Sequence, residues 1–103
     1  LSLLVVRDEK TTTEGIQALR RQIDELDNQV MDVLAKRMRV CREIGQYKKE
    51  HNMTVFQSSR YNEILEKRGA QASVCGVDPT CAAQIFELIH QESVRQQIEI
   101  INQ

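Results

Sequence analysis

Aromatic residues are nearly missing from this sequence: its 103 residues include two Tyr, two Phe and no Trp. A core without large rings has to be assembled from Ile, Leu, Val and Met, as helix bundles commonly are. Turn-forming residues are equally scarce, with one proline and four glycines, which argues for few turns and long elements. Neither sign of charge dominates. The formal net charge is -1 and no basic run exceeds a pair, so the positive surplus that nucleic-acid phosphates require is absent. No apolar run approaches the ~20 residues of a membrane span, and there is no signal-peptide pattern. The three cysteines, Cys41, Cys75 and Cys81, are odd in number and lack CxxC spacing, which points to reduced thiols and a cytoplasmic location. His51 and His90 have no partner at ligand spacing, so no metal site is expected.

What is present is one long periodic stretch. From Thr11 to about Glu50 the spacing predicts an uninterrupted helix of about 39 residues, roughly 58 Å long. Thr11-Thr12-Thr13-Glu14 has the spacing of a capping box at its start. Apolar residues recur at Ile16, Leu19, Ile23, Leu26, Val30, Val33 and Leu34, then at Cys41 and Ile44, a three-four seam rather than a strand alternation. Arg37 and Lys48 interrupt that seam. They lie eleven residues apart, within about 20° of one another around the helix. A cation on a buried seam is costly unless an anion meets it, and the seam carries no carboxylate. An external anion is the economical explanation. Such a helix also exceeds a compact domain of this size, whose radius of gyration is near 13 Å. A second copy packed on the same seam is therefore expected.

Three further positions invite a reading. Arg20 is turned about 100° from the Arg37 face. It cannot line a pocket with Arg37 and Lys48 along one helix, but it could reach a partner's pocket, or form a solvated pair with Arg21. Gly45, one turn before Lys48, costs about 1 kcal/mol against Ala in a helix. It marks the close approach of a ligand or another backbone, or it is incidental. Arg60 sits in the first turn of a second helix, capped by Ser58 or Ser59 and running to about Ala72 with Ile64 and Leu65 inward. A cation there opposes the helix dipole unless it grips an anion at the helix mouth; an exposed arginine is the plain alternative. Val55 and Phe56, in the first loop, are expected to plug one end of the bundle. After a second loop over Ala72 to Val77, Asp78-Pro79 is a strong start for a third helix reaching about Ile101. Its apolar stripe of Ala82, Ile85, Phe86, Ile89, Ile100 and Ile101 is broken by Ser93 and Gln97, one turn apart. Buried polar side chains need partners. An oxygen-rich anion would serve both; a bond to its own helix would serve Ser93, and a place at the bundle rim would explain Gln97.

The stretches LRRQIDELD, LAKR, IGQYK, the SSR opening the second helix and FELIHQESVRQQ in the third resemble, in order, type and spacing, the all-helical class of chorismate mutase. The resemblance covers about Ile16 to Gln97. It implies an all-α fold with three helices per chain, one very long, in an intertwined homodimer whose first helix spans both halves. It implies conversion of chorismate to prephenate in aromatic amino-acid biosynthesis, without a cofactor. By the same resemblance, Arg20 would come from the partner protomer to hold a substrate carboxylate. Arg37 and Arg60 would belong to the cation set for the two carboxylates. Lys48 and Gln97 would flank the ether oxygen of the breaking bond, making these two and Arg37 the catalytic set. Ser93 would contact a carboxylate or hydroxyl. At the position of Tyr61 the family commonly has an acidic residue contacting the substrate hydroxyl; here a Tyr hydroxyl stands there, with Glu63 two residues on. Gln57 stands where some members have Asp.

Residues 1–13, an apolar run followed by a polar stretch, are expected to be a tail or linker from an upstream domain, with the mutase domain over 14–103. The third helix runs almost to Gln103. In the family, mutase domains fused to prephenate-processing enzymes usually come first, so this polarity fits better a fusion behind a DAHP synthase, the first enzyme of the pathway. The competing readings are an isochorismate-pyruvate lyase on the same fold and a non-catalytic helical module. The latter would carry apolar residues at 37 and 48.

Overall fold

The computed structural model describes the backbone of residues 9–103 and side chains from residue 13 onward; of the expected tail or linker over 1–13, residues 1–8 lie outside what is described and residues 9–13 belong to the first helix. Three helices follow one another: α1 (Glu9–Glu50), α2 (Ser58–Cys75) and α3 (Pro79–Ile101). Among the described residues there is no strand, and no helix is long and apolar enough to cross a membrane. The helix α1 begins two residues before the expected capping box. Glu9 and Lys10 are good helix formers and a Thr inside a helix costs only tenths of a kcal/mol, so the threonines do not stop it.

The chain divides into two compact units, residues 1–36 and 37–103. In the first, α1 carries its apolar row in the open: Leu19 is 57% exposed, Ile23 56%, Leu26 53% and Val30 56%. An exposed Asp32–Lys36 pair at 3.2 Å lies beside it, worth little by itself.

The second unit contains the end of α1, α2 and α3. The end of α1 is set by Asn52, in the left-handed region at φ 52°, a conformation Asn tolerates. Met53 N–H then donates to the Lys48 carbonyl at 2.9 Å. The start of α2 differs from the expected serine cap. Gln57 occupies the cap position without a side-chain cap bond; its amide donates weakly back to Thr54 O at 3.4 Å. The helix also runs past Ala72 to Cys75. It ends where Gly76 adopts φ 79°, a conformation that costs glycine nothing, and Val77 N–H donates to Ala72 O at 3.1 Å. Ala72 is thus buried inside α2 rather than opening a loop. The start of α3 matches expectation: Asp78 Oδ2 accepts from Cys81 N–H at 2.9 Å and Pro79 is the first helical residue.

Few side chains are buried in the chain alone. Ile64, Ala72 and Ala82 form an apolar contact layer of α2 and α3, each 6% exposed or less, with Leu65 half-buried beside Ile64. Val55 is half-buried, whereas Phe56 is 50% exposed and plugs little. Gly45 resolves in favour of backbone approach. A Cβ there would lie 3.0 Å from Gln97 Cα and 3.3 Å from Gln97 O, whereas one at Gly69 would meet nothing within 4 Å. The glycine lets α1 and α3 meet at the residue that carries the most buried amide of the unit.

These two glycines give opposite expectations. Gly69→Ala gains helix propensity without a clash and stabilises by about 0.5–1 kcal/mol. Gly45→Ala gains the same propensity but forces α3 to give way, a strain of about 1–3 kcal/mol. Urea denaturation of both variants measures the contrast; equal stabilisation would show the approach at Gln97 to be soft.

Candidate active site

The helical repeat places Arg37, Cys41, Ile44 and Lys48 on one face of α1. This face forms one wall of a cavity of about 430 Å³ that lies wholly within the second unit. Val55 and Gln57 of the connection close one side, Arg60 and Ile64 of α2 another, and His90, Ser93 and Gln97 of α3 the last. The volume suits a small ligand. Three of its wall residues are cations, Arg37, Lys48 and Arg60, and none is a carboxylate.

A chain of neutral partners organises the floor. Lys48 Nζ donates to Val55 O at 2.7 Å and to Gln97 Oε1 at 2.8 Å. Gln97 Nε2 donates to Ser93 Oγ at 3.1 Å, and Ser93 Oγ donates to Cys41 Sγ at 2.9 Å. Gln97 and Ser93 are buried, at 5% and 6% exposure. Gln97 is therefore not at a rim, and the Ser93 hydroxyl donates to Cys41 of α1 rather than to a carbonyl of its own helix. A guanidinium N–H of Arg37 reaches Cys41 Sγ at 3.7 Å, a weak contact that leaves its other donors uncommitted. Burial pushes the Lys48 ammonium below its ordinary 10.5, and the nearby Cys41 thiol partly opposes this. Lys48 is held by dipoles alone, so its charge is compensated only in part.

Arg60 is tethered at the cavity mouth, its guanidinium 2.8 Å from Glu63, which also pairs with Lys67 at 2.9 Å. These pairs are exposed and readily exchanged for a ligand. The imidazole of His90 lies among rings, 4.7 Å from Tyr61 and 5.8 Å from Phe56 between centroids. Its Nε2 is buried without a hydrogen-bond partner. Burial first, and then the positive charges of Arg37 and Lys48, push its pKa below the ordinary 6.5. Near neutral pH the ring is uncharged.

Such an arrangement is suited to an anion: it holds three cations, sets an ammonium beside an amide, and has no carboxylate on its wall. Residues 19–98 match the family model described as chorismate mutase type II. The chain belongs to that family. It is 31% identical over 78 residues to the T-protein of Enterobacter agglomerans, covering 76% of this chain and 21% of the relative. The 4-amino-4-deoxychorismate mutase of Streptomyces pristinaespiralis is 28% identical over 89 residues, 86% of this chain and 69% of that one. A bifunctional chorismate mutase/prephenate dehydratase of Aquifex aeolicus is 32% identical over 54 residues, 52% of this chain and 15% of the relative. The matched region therefore spans about a fifth of the T-protein and less of the bifunctional enzyme, in which a mutase is fused to a further activity by name.

Of the residues singled out by resemblance to the chorismate mutases, Arg37, Lys48, Arg60, Ser93 and Gln97 line one cavity. Tyr61 is not on that wall; its ring packs on Phe56 and His90. Arg20 is exposed and belongs to the first unit. Sequence reasoning missed Cys41 as a polar member of the floor, because a Cys on an apolar seam reads as a small hydrophobe. It missed the Val55 carbonyl, which no sequence signal marks. It also set His90 aside for want of a metal partner, although its place one turn before Ser93 puts it on the same face.

The depressed pKa of His90 gives stability a pH dependence. Above pH 6.5 the ring is neutral both folded and unfolded, and this contribution is fully present. As pH falls below 6.5 the unfolded chain takes up the proton first, so stability declines until the folded value is passed. Denaturation of the wild type and His90→Gln between about pH 7.5 and 5 should show a gap that opens only below 6.5. A gap that stays constant would mean that the ring titrates as it does in the unfolded chain.

Proposed function

We propose that this chain is a chorismate mutase, rearranging chorismate to prephenate in aromatic amino-acid biosynthesis. The observation that carries the reading is the Lys48–Gln97 pair at 2.8 Å in a cavity lined by Arg37 and Arg60 and by no carboxylate. In the reaction a C–O ether bond breaks as a C–C bond forms within one molecule. No atom enters or leaves, and no nucleophile, base or cofactor is required. The task is to hold a flexible dianion in its compact reactive conformer, which is a matter of proximity and orientation. Arginine forks match carboxylates and fix direction as well as charge. Negative charge grows on the ether oxygen as the bond opens. The Lys48 ammonium and the Gln97 amide bind that charge more strongly in the transition state than in the substrate. Ser93, beside Gln97, steadies the amide or meets a substrate oxygen. The three unpaired thiols suit a cytoplasmic setting.

The direct test is turnover of chorismate by the purified chain, with isochorismate and 4-amino-4-deoxychorismate as comparison substrates. The lyase reading predicts pyruvate release from isochorismate, and a docking module predicts no turnover. Lys48→Ala should cost about 3–4 kcal/mol of transition-state stabilisation, at least a hundredfold in kcat, with the fold intact. Gln97→Glu should make activity depend on acid, because only a protonated carboxyl can donate to the ether oxygen. A flat pH profile for that variant would remove Gln97 from this role.

The same reading includes a homodimer with shared sites. The exposed apolar row from Ile16 to Val33 supports it, since so long a stripe favours a covering partner. Arg20 then reaches the partner's cavity. Mixing inactive Arg20→Ala and Arg37→Ala protomers should restore activity, because one site of the heterodimer carries both lesions and the other carries neither. Sedimentation should give twice the chain mass. Verified subunit exchange without recovery would place Arg20 outside the partner's site.

A further inference from the structure

We propose that Cys41 is a positioning residue: by accepting the Ser93 hydroxyl hydrogen it keeps Ser93 an acceptor for Gln97, and so keeps the Gln97 amide a donor toward the substrate. The inference rests on the cavity being the site of the rearrangement. Three hydrogen bonds link Lys48, Gln97, Ser93 and Cys41, and all run in one sense. Lys48 Nζ donates to Gln97 Oε1 at 2.8 Å, Gln97 Nε2 to Ser93 Oγ at 3.1 Å, and Ser93 Oγ to Cys41 Sγ at 2.9 Å. A side-chain amide has two hydrogens to donate. Ser93 takes one, and the other has no protein partner among the described residues. Cys41, Ser93 and Gln97 are each 6% exposed or less, and all three line the cavity. Their orientation is therefore set by one another rather than by bulk water.

The sense of the chain is what the reaction uses. Without a ligand, Lys48 fixes the amide, because an ammonium only donates and must face Oε1. In the proposed reaction that ammonium turns toward the ether oxygen and its hold on Oε1 weakens. The amide then depends on Ser93. A serine hydroxyl both donates and accepts. With its hydrogen free, it could bond to a carbonyl of its own helix, or donate to Gln97 and let the amide turn its oxygen toward Ser93. The Cys41 sulfur removes that freedom. A thiol is a weak donor and can serve as an acceptor, so it occupies the hydroxyl hydrogen and leaves the Ser93 lone pairs to Nε2.

The experiment measures kcat and KM for chorismate in the wild type, Cys41→Ala, Cys41→Ser, Ser93→Ala and the double variant Cys41→Ala/Ser93→Ala. Circular dichroism verifies the fold of each. Cys41→Ala should lower kcat roughly fivefold, about the worth of one neutral hydrogen bond, with KM little changed because the amide acts in the transition state. Cys41→Ser keeps an acceptor and should retain most of kcat. Serine is about as small as alanine, so a packing role predicts equal losses for the two. The double variant should be no slower than Ser93→Ala alone, since Cys41 acts through Ser93. The assignment is wrong if Cys41→Ser loses as much as Cys41→Ala, or if the loss falls in KM alone. It is equally wrong if the Cys41→Ala factor persists in the Ser93→Ala background, which would trace the effect to packing or to the Arg37 N–H 3.7 Å from the sulfur. A wild type that does not turn over chorismate would overturn the functional reading itself, and the assignment with it.

Discussion

The cavity of the second unit is arranged around a cation held without a counter-ion. Lys48 projects from a seam that should be apolar and meets two neutral oxygens, Val55 O and Gln97 Oε1. Dipoles offset part of the cost of removing an ammonium from water, but not all of it. A carboxylate at the same place would have neutralised the lysine and spent its field. In the proposed reaction, leaving the charge under-compensated would keep it available for an anion that arrives later. The closeness of α1 and α3 at Gly45 serves the same arrangement, because it brings the Gln97 amide within 2.8 Å of the ammonium.

That arrangement suits a reaction in which charge moves but protons do not. General acid–base sites need a group whose pKa lies near the working pH. Here two groups on the cavity wall are shifted, both downward: Lys48 by burial from an ordinary value of 10.5, and His90 by burial and by two cations from 6.5. A site built this way works by position and by fixed electrostatics. The linked donors from Lys48 through Gln97 and Ser93 to Cys41 give the amide a defined orientation before any ligand arrives.

Much of this was legible in the sequence, for identifiable reasons. The Asp78-Pro79 start of α3 was readable because capping is local chemistry. Arg37, Lys48, Ser93 and Gln97 stood out because each breaks an apolar period, and the helical repeat alone puts them on facing stripes. Where the reading failed, the controlling contact was not local. The threonines near the start of α1 looked like a cap, yet Glu9 and Lys10 before them already continue the helix. Ser58 and Ser59 looked like caps, but Gln57 takes that place because the chain turns one residue earlier. Ala72 looked like the end of α2, but the signal that counted was Gly76, four residues on, where a left-handed residue can close the helix. The Val55 carbonyl could not be foreseen at all, since every residue carries one.

The sparse core points the same way as the site. Among the described apolar residues only Cys41, Ile64, Ala72 and Ala82 are buried in the chain alone, while large aliphatic side chains along α1 are open to solvent. Isolated exposed apolar residues are ordinary, but a periodic row of them is not. If a second copy covers that row, as proposed, the apolar area needed for stability and the Arg20 cation would arrive in the same event, because Arg20 lies within the row's own stretch of α1. Stability and site completion are then linked by mass action. Dilution that separates the protomers should weaken the fold and empty the site of one cation together, so loss of structure and loss of substrate binding should share one concentration dependence. Activity that persisted at concentrations where the protomers had separated would break that link and leave Arg20 without a part in the site.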